Sequence, residues 1–132
     1  MDYIYANQSA SDITLKFMKM IDSNPNEIEE LEAYYFQIER YFSSLANEMD
    51  KYSMRNEDWG FSSYAVHLHH ETGRFGGNFI NTLRNWFWYV RNDEKQKAES
   101  TRRIMLDSLY MFCIGVGSIE ILYNEIFSKI SK

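Results

Sequence analysis

The residues best suited to chemistry form one short run, His67-Leu68-His69-His70-Glu71. Helical spacing would place His67 and Glu71 one turn apart with His70 beside them, so the three side chains could offer ligands to a metal ion. Metal sites in helical proteins need further ligands from facing helices, and the chain has only these three histidines. We therefore predict no metal and no cofactor, with the histidines bonded to carboxylates. His67, His70 and Glu71 are the candidate ligands in the alternative interpretation, a metal- or ligand-binding helical enzyme.

Two other motifs could carry chemistry, and neither fits a known catalytic pattern. The run Gly73-Arg74-Phe75-Gly76-Gly77 lacks the Lys-Ser/Thr ending of a phosphate-binding loop and follows no strand pattern. Cys113, the only cysteine, lies within an apolar helical pattern, which is typical of a core residue rather than a nucleophile. We therefore predict no catalytic residue and no enzymatic activity.

The segment from Thr101 to Lys132 has the strongest periodicity in the chain. Apolar residues alternate at spacings of four and three, which predicts one long helix with a continuous apolar face. Further apolar residues flank that face, among them Ile104, Ile114 and Ile121, so the helix is apolar over most of its circumference. Such a helix is expected at the centre of a bundle, surrounded by protein. The face consists of Met105, Leu109, Phe112, Val116, Ile119, Tyr123, Ile126 and Ile130.

Two helices are predicted in the first half of the chain. The sequence Ser9-Ala10-Ser11-Asp12 has the form of a capping box and should begin a short helix that ends near Asp22. Asn24-Pro25-Asn26-Glu27 should begin a long second helix, because asparagine caps helices and proline suits their first position. Tyr34 and Phe36 fall outside the predicted core face of that helix.

A third helix completes the predicted fold. Arg55–Gly60 breaks the apolar pattern and predicts a loop, after which the helix should run from Tyr64 to Asn92–Glu94 with a kink at Gly73–Gly77. The fold class is therefore predicted to be all-α. We expect a four-helix bundle, with one short N-terminal helix and three long near-antiparallel helices in a single domain over residues 1–132.

Composition and charge restrict the partners and the location. The 132 residues carry a net charge of −5, and residues 1–60 hold five Lys/Arg against twelve Asp/Glu, a balance of −7. Direct nucleic-acid binding is disfavoured, because it depends on neutralising phosphates with Lys and Arg. Residues 1–10 do not resemble a signal peptide. The apolar segment Leu109–Ile119 is short and is followed by Glu120, so we predict a cytoplasmic protein with no membrane partner.

The run Trp86-Phe87-Trp88-Tyr89-Val90 is the strongest indication of a binding surface. Five consecutive large apolar residues surround a helix, so a single core face cannot bury them all. Trp86 and Val90 fit the core face, whereas Trp88 and Tyr89 do not. Exposed aromatic residues beside arginine are typical of binding hot spots. The predicted partner-binding residues are Trp88, Tyr89, Arg84, Arg91, Glu29, Glu30, Glu32 and Tyr34.

These observations predict a non-enzymatic protein-binding module. The small size, acidic first half and surplus aromatics favour an inhibitor of the immunity-protein, antitoxin or anti-CRISPR (anti-defence) type, which occludes a basic or nucleic-acid-binding protein. The alternatives are the metal- or ligand-binding enzyme described above and a structural subunit of a larger assembly. Because the last helix and the Trp86–Val90 run are apolar on several faces, we also expect a homodimer.

Overall fold

The computed structural model describes residues 10–23, 28–56 and 59–130, and this part of the chain is all-α, as predicted. Four helices are present in it: α1 (Ala10–Asp22), α2 (Glu29–Asn56), α3 (Trp59–Arg91) and α4 (Lys95–Ile130). The predicted caps at Ser9 and at Asn24–Glu27 lie outside the described residues, as do the side chains of Ile126 and Ile130.

The helix at the centre of the fold is α4, which contacts all three other helices and packs most extensively against α3. The predicted apolar face from Met105 to Tyr123 is buried at every one of its six positions. The flanks differ from the prediction, because Ile104, Ile114 and Ile121 are exposed to solvent. In the described part of the chain three other helices pack against α4, and they leave one side of it facing outward.

The boundary between α2 and α3 differs from the prediction. The segment Arg55–Gly60 was expected to be a loop, but α2 continues to Asn56 and α3 already begins at Trp59. The predicted start of the third helix at Tyr64 is therefore wrong by five residues. Arg55, Asn56 and Gly60 lie at helix ends, where the apolar pattern can stop before the helix itself does. Further on, α3 continues through Gly73–Gly77 as a single helix, as expected.

Two glycines bring the long helices close together. A Cβ atom added at Gly115 of α4 would lie 2.9 Å from both Cβ and Cγ2 of Thr72, and closer still to its Oγ1. A Cβ at Gly76 of α3 would lie 2.6 Å from the hydroxyl of Tyr35 and 3.0 Å from the ring of Phe112. Gly73 and Gly77 have open space at the same position. Only Gly76 and Gly115 are therefore required by packing among these four.

The turn between α3 and α4 is fixed by backbone hydrogen bonds. Asp93 has a φ of 56°, and the amides of Asp93 and Glu94 donate to the carbonyls of Val90 (3.3 Å) and Tyr89 (3.0 Å). This pairing is the Schellman arrangement, in which a left-handed residue ends a helix. The carbonyl of Glu94 then accepts from the amide of Ala98 at 2.9 Å and begins α4. The predicted helix boundary at Asn92–Glu94 is confirmed.

The short helix α1 covers part of α2 and buries Tyr34. The ring of Tyr34 lies 4.5 Å from that of Phe17, and the Nζ of Lys16 lies 4.4 Å from its centroid. Tyr34 is only 6% exposed, so the expectation that it lies off the core does not hold. The apolar pattern within α2 could not reveal this contact, because the covering residue comes from another helix.

Candidate protein-binding surface

Six of the predicted partner-binding residues lie at one end of the molecule. The guanidinium of Arg84 bonds to the carboxylate of Glu32 at 3.0 Å and joins the last turns of α3 to the first turns of α2. Trp88 is one turn beyond Arg84, and Arg91 follows at the next position on the same face. We call the set Glu29, Glu30, Glu32, Arg84, Trp88 and Arg91 the tryptophan end.

Trp88 is the most accessible aromatic group at the tryptophan end. Its side chain is 57% exposed, and its ring meets the ring of Tyr89 edge to face at 5.7 Å. Tyr89 is half-buried and packs against the core, with the Nζ of Lys97 5.8 Å from its centroid. Trp88 is thus accessible to a partner, whereas Tyr89 contacts both the ring of Trp88 and the core. Val90, which was expected in the core, is 49% exposed.

The charges of the tryptophan end are partly committed to contacts within the chain. Glu32 is half-buried and bonded to Arg84, while Glu29 and Glu30 are exposed. The guanidinium of Arg91 stacks over the ring of Phe87 at 4.8 Å. Glu29 and Glu30 are therefore the acidic groups best placed to attract a basic partner. Glu32 could meet a partner only by giving up its ion pair with Arg84.

His69 and His70 border a groove between α2 and α3. The groove has a volume of about 590 Å³ and is lined by Glu39, Phe42, Ser43, Val66, His69, His70, Gly73 and Arg74. The ring of His69 meets that of Phe42 edge to face at 5.7 Å, and His70 is exposed at the rim.

The predicted metal candidates do not form a ligand set in the described part of the chain. Glu71 bonds to Arg74 at 2.6 Å, which occupies the carboxylate that was considered as a ligand. Within residues 10–23, 28–56 and 59–130, no group of three His, Cys, Asp or Glu side chains is placed to hold a metal. His67, on the same helix, is exposed to solvent.

Two tyrosine–carboxylate hydrogen bonds connect α2 and α4, and neither was predicted from the sequence. The hydroxyl of Tyr41 donates to Glu120 at 2.5 Å, and that of Tyr123 donates to Glu48 at 2.7 Å. Burial raises the pKa of the Glu120 carboxyl, and the hydrogen bond from Tyr41 opposes part of that shift. Because Glu120 is buried, this group positions helices rather than meeting a substrate.

A second surface, separate from the predicted partner-binding residues, is the side of α4 that faces solvent. Ile104, Met111, Ile114 and Ile121 are all exposed, at spacings of seven, three and seven. These spacings place them on one face, opposite the buried one, together with Asp107, Ser118 and Glu125. We call these seven residues the outer face of α4. Their apolar members were visible in the sequence as flanks, but which flank stays open depends on how many helices surround α4.

The segment Lys95–Glu125 is long and apolar enough to cross a membrane by length and composition. It includes Glu120, the residue at which the sequence analysis ended the apolar segment, so the argument that the segment is too short does not hold for the helix as a whole. Half of its most apolar window is buried, a property that core helices of soluble proteins share. The cytoplasmic location stays a prediction.

No protein-family model, curated protein or solved structure matches the chain. The function is therefore inferred from the surfaces described above.

Proposed function

We propose that this chain is a non-enzymatic protein-binding module, built as a four-helix bundle with three near-antiparallel long helices, that engages a partner through the tryptophan end. Cross-helix contacts support the bundle arrangement. Glu32, early in α2, meets Arg84, late in α3, as expected for antiparallel neighbours. In the same way Asp22, at the end of α1, bonds to Arg102 near the start of α4.

The observation that carries the binding proposal is the exposed Trp88 beside two arginines. A tryptophan has a large apolar surface that is unfavourable in water, and it gains more than most residues when a partner covers it. The edge contact with Tyr89 and the short connection to α4 fix its position on the helix. A pre-positioned anchor loses less conformational entropy on binding than a mobile one. Trp88 therefore has the properties of a hot-spot residue.

The kind of partner follows from the charge. Glu29 and Glu30 are exposed at the same end of the molecule, and the chain carries a net charge of −5, so a basic partner is attracted over long range. We propose an inhibitor of the immunity-protein, antitoxin or anti-CRISPR type. It would occlude a basic or nucleic-acid-binding protein by covering its active surface.

Site-specific photo-crosslinking in the native host tests this proposal. A benzophenone amino acid at position 88 retains an aromatic group there, and the same amino acid at Leu15 of α1 serves as the control at a similarly exposed site. We expect one protein to be captured from position 88 and not from position 15. The same protein should lose its activity when the purified chain is added at equal concentration. Crosslinks that are identical from both positions would contradict the proposal.

Binding measurements with the captured protein distinguish the contact made by Trp88 from the long-range attraction by Glu29 and Glu30. Trp88→Ala should weaken binding by ~2 kcal/mol, about 30-fold, mainly by faster dissociation. The double variant Glu29→Gln/Glu30→Gln should instead slow association and reduce its dependence on salt. Leu15→Ala is the control and should change neither rate. A Trp88→Ala variant that binds as well as wild type would refute the role of the tryptophan end.

The groove between α2 and α3 favours a second candidate function, the binding of a small ligand beside His69 and His70. Its floor is the ring of Phe42, and polar groups from both helices converge on its rim. NMR titration with metal ions and with small carboxylates, following the histidine ring protons, tests this candidate. Shifts confined to His69 and His70 would support it, and the absence of shifts would exclude it.

A further inference from the structure

We propose that the outer face of α4 is the interface between two copies of this chain, with the two α4 helices packed antiparallel. This interface lies on another surface than the tryptophan end, so it does not depend on the proposed function. The outer face has the seven-residue repeat of a helix–helix seam. None of the other three helices covers its apolar members, which are between 39% and 62% exposed.

An antiparallel pair matches this face to itself. If the two-fold axis passes midway between residues 112 and 113, Ile104 faces Ile121 of the second copy, and Met111 faces Ile114 of the second copy. The polar positions also meet, because Asp107 then faces Ser118, whose hydroxyl donates to the Ile114 carbonyl at 2.9 Å within one copy and would turn to the carboxylate across the pair. Every contact occurs twice, as two-fold symmetry requires.

Charge selects the antiparallel orientation over the parallel one. Parallel helices would place each outer-face residue against its own copy, so Asp107 would meet Asp107 and Glu125 would meet Glu125. Like charges directly opposed across a seam are unfavourable. In the antiparallel arrangement Glu125 lies opposite Ser100, and the two copies of Asp107 are far apart.

Shape and area support the same arrangement. Tyr110 is a large exposed residue at the edge of the outer face, and the antiparallel register brings it over Gly117 of the second copy, where no side chain competes for space. With Tyr110, the exposed apolar side chains offer on the order of 500 Å² per copy. A pair therefore buries about 1,000 Å² of apolar surface, the lower limit for a specific interface, and we expect a weak, concentration-dependent dimer.

A second copy fits this face better than a lipid surface does. Asp107 separates Ile104 from the other apolar residues of the outer face, and Glu125 ends that face, so the face as a whole cannot enter a bilayer without burying a carboxylate. A second copy, in contrast, presents a hydroxyl opposite each of these carboxylates.

Sedimentation velocity of the full chain, from about 1 to 200 µM, tests for the dimer. We expect the weight-average mass to rise from one copy, 15.8 kDa, toward two. Ile114→Glu should raise the dissociation constant at least ~10-fold, because it sets a carboxylate against Met111 in both halves of the interface. Leu15→Glu, the same change at an exposed residue of α1, is the matched control and should have no effect. A monomer at all concentrations, or equal effects of the two variants, would overturn the proposal.

Disulfide crosslinking tests the orientation. Mixed Asp107→Cys and Ser118→Cys chains should form a disulfide between the two variants. Asp107→Cys alone should not crosslink, because its two copies would be eleven residues apart, about 16 Å along the helix, whereas a disulfide needs Cα atoms within about 7 Å. The wild-type chain, with the buried Cys113, gives the background. Efficient crosslinking of Asp107→Cys with itself would overturn the antiparallel arrangement.

Flotation with phosphatidylcholine–phosphatidylglycerol vesicles tests the competing lipid surface. We expect no vesicle binding by wild type. Vesicle binding that Ile114→Glu abolishes, together with a monomer in solution, would assign the outer face to a membrane and overturn the proposal. Trp88→Ala should leave dimerisation unchanged, so failure of the dimer and failure of the partner-binding proposal can be distinguished.

Discussion

Replacing Gly115 with alanine tests the closest contact between α3 and α4. In most helices the change from glycine to alanine is favourable by about 1 kcal/mol, because alanine restricts the unfolded chain and suits the helix. Here the new Cβ would lie 2.9 Å from the Cβ of Thr72, whereas carbon atoms pack best at about 3.5–4.0 Å. We therefore expect Gly115→Ala to destabilise the fold.

The size of the expected loss in the free energy of unfolding depends on which atoms collide. The Cβ of Thr72 is fixed by the backbone, so no side-chain rotation can move it away from the new methyl group. Thr72 is buried, and relief requires α3 and α4 to separate by about 0.6 Å or more. Overpacking of this kind costs about 1–3 kcal/mol, and up to ~1 kcal/mol is regained from helix propensity. The net loss should be about 1–2 kcal/mol.

Urea unfolding followed by circular dichroism measures this loss, with Gly77→Ala as the matched control. A Cβ at Gly77 meets nothing within 4 Å, so Gly77→Ala should gain up to ~1 kcal/mol and the two variants should differ by about 2–3 kcal/mol. Adding Thr72→Ala to Gly115→Ala should restore part of the loss, because Oγ1 and Cγ2 are removed while Cβ remains. If Gly115→Ala is as stable as Gly77→Ala, the helices do not approach as described.

Three further predictions concern the core, the buried carboxylate and the turn. Ile119→Ala should lower the free energy of unfolding by about 2–5 kcal/mol, since Ile119 is fully buried in α4, and a loss near zero in urea unfolding would refute the central position of that helix. Glu120→Gln should gain stability relative to wild type as pH rises above about 4, near the ordinary pKa of a glutamate. The native state, with its raised pKa, then holds a proton that the unfolded state has lost, and the stability that neutral Glu120 contributes disappears as pH passes the raised pKa. Thermal melts that show a pH-independent difference between the two proteins would contradict this. Asp93→Gly should raise the free energy of unfolding by about 0.5–1 kcal/mol, because glycine adopts a φ of 56° without strain, and Asp93→Val should lower it; equal melting temperatures of the two variants would contradict the left-handed turn.

The sequence alone determined the helices that make the core. From Met105 to Tyr123 the apolar residues follow one another at alternating spacings of three and four, which predicts a helix with one buried face. The structure confirms that face. The turn at Asn92–Glu94 was also predicted from local sequence, because a short polar run there separates two apolar helical patterns. At Arg55–Gly60 the same reasoning failed, since loss of periodicity at a helix end does not unwind the helix.

Only the tertiary structure decided which apolar residues remain exposed. Tyr34 and Trp88 both lie off a predicted core face, yet α1 covers the first and no described helix covers the second. The outer face of α4 is open because three helices cannot surround a fourth completely. Likewise, Glu120 meets Tyr41 across 79 positions of sequence, a pairing that no local pattern encodes. Periodicity fixes the faces of a helix, whereas the number and placement of its neighbours decide which face is covered.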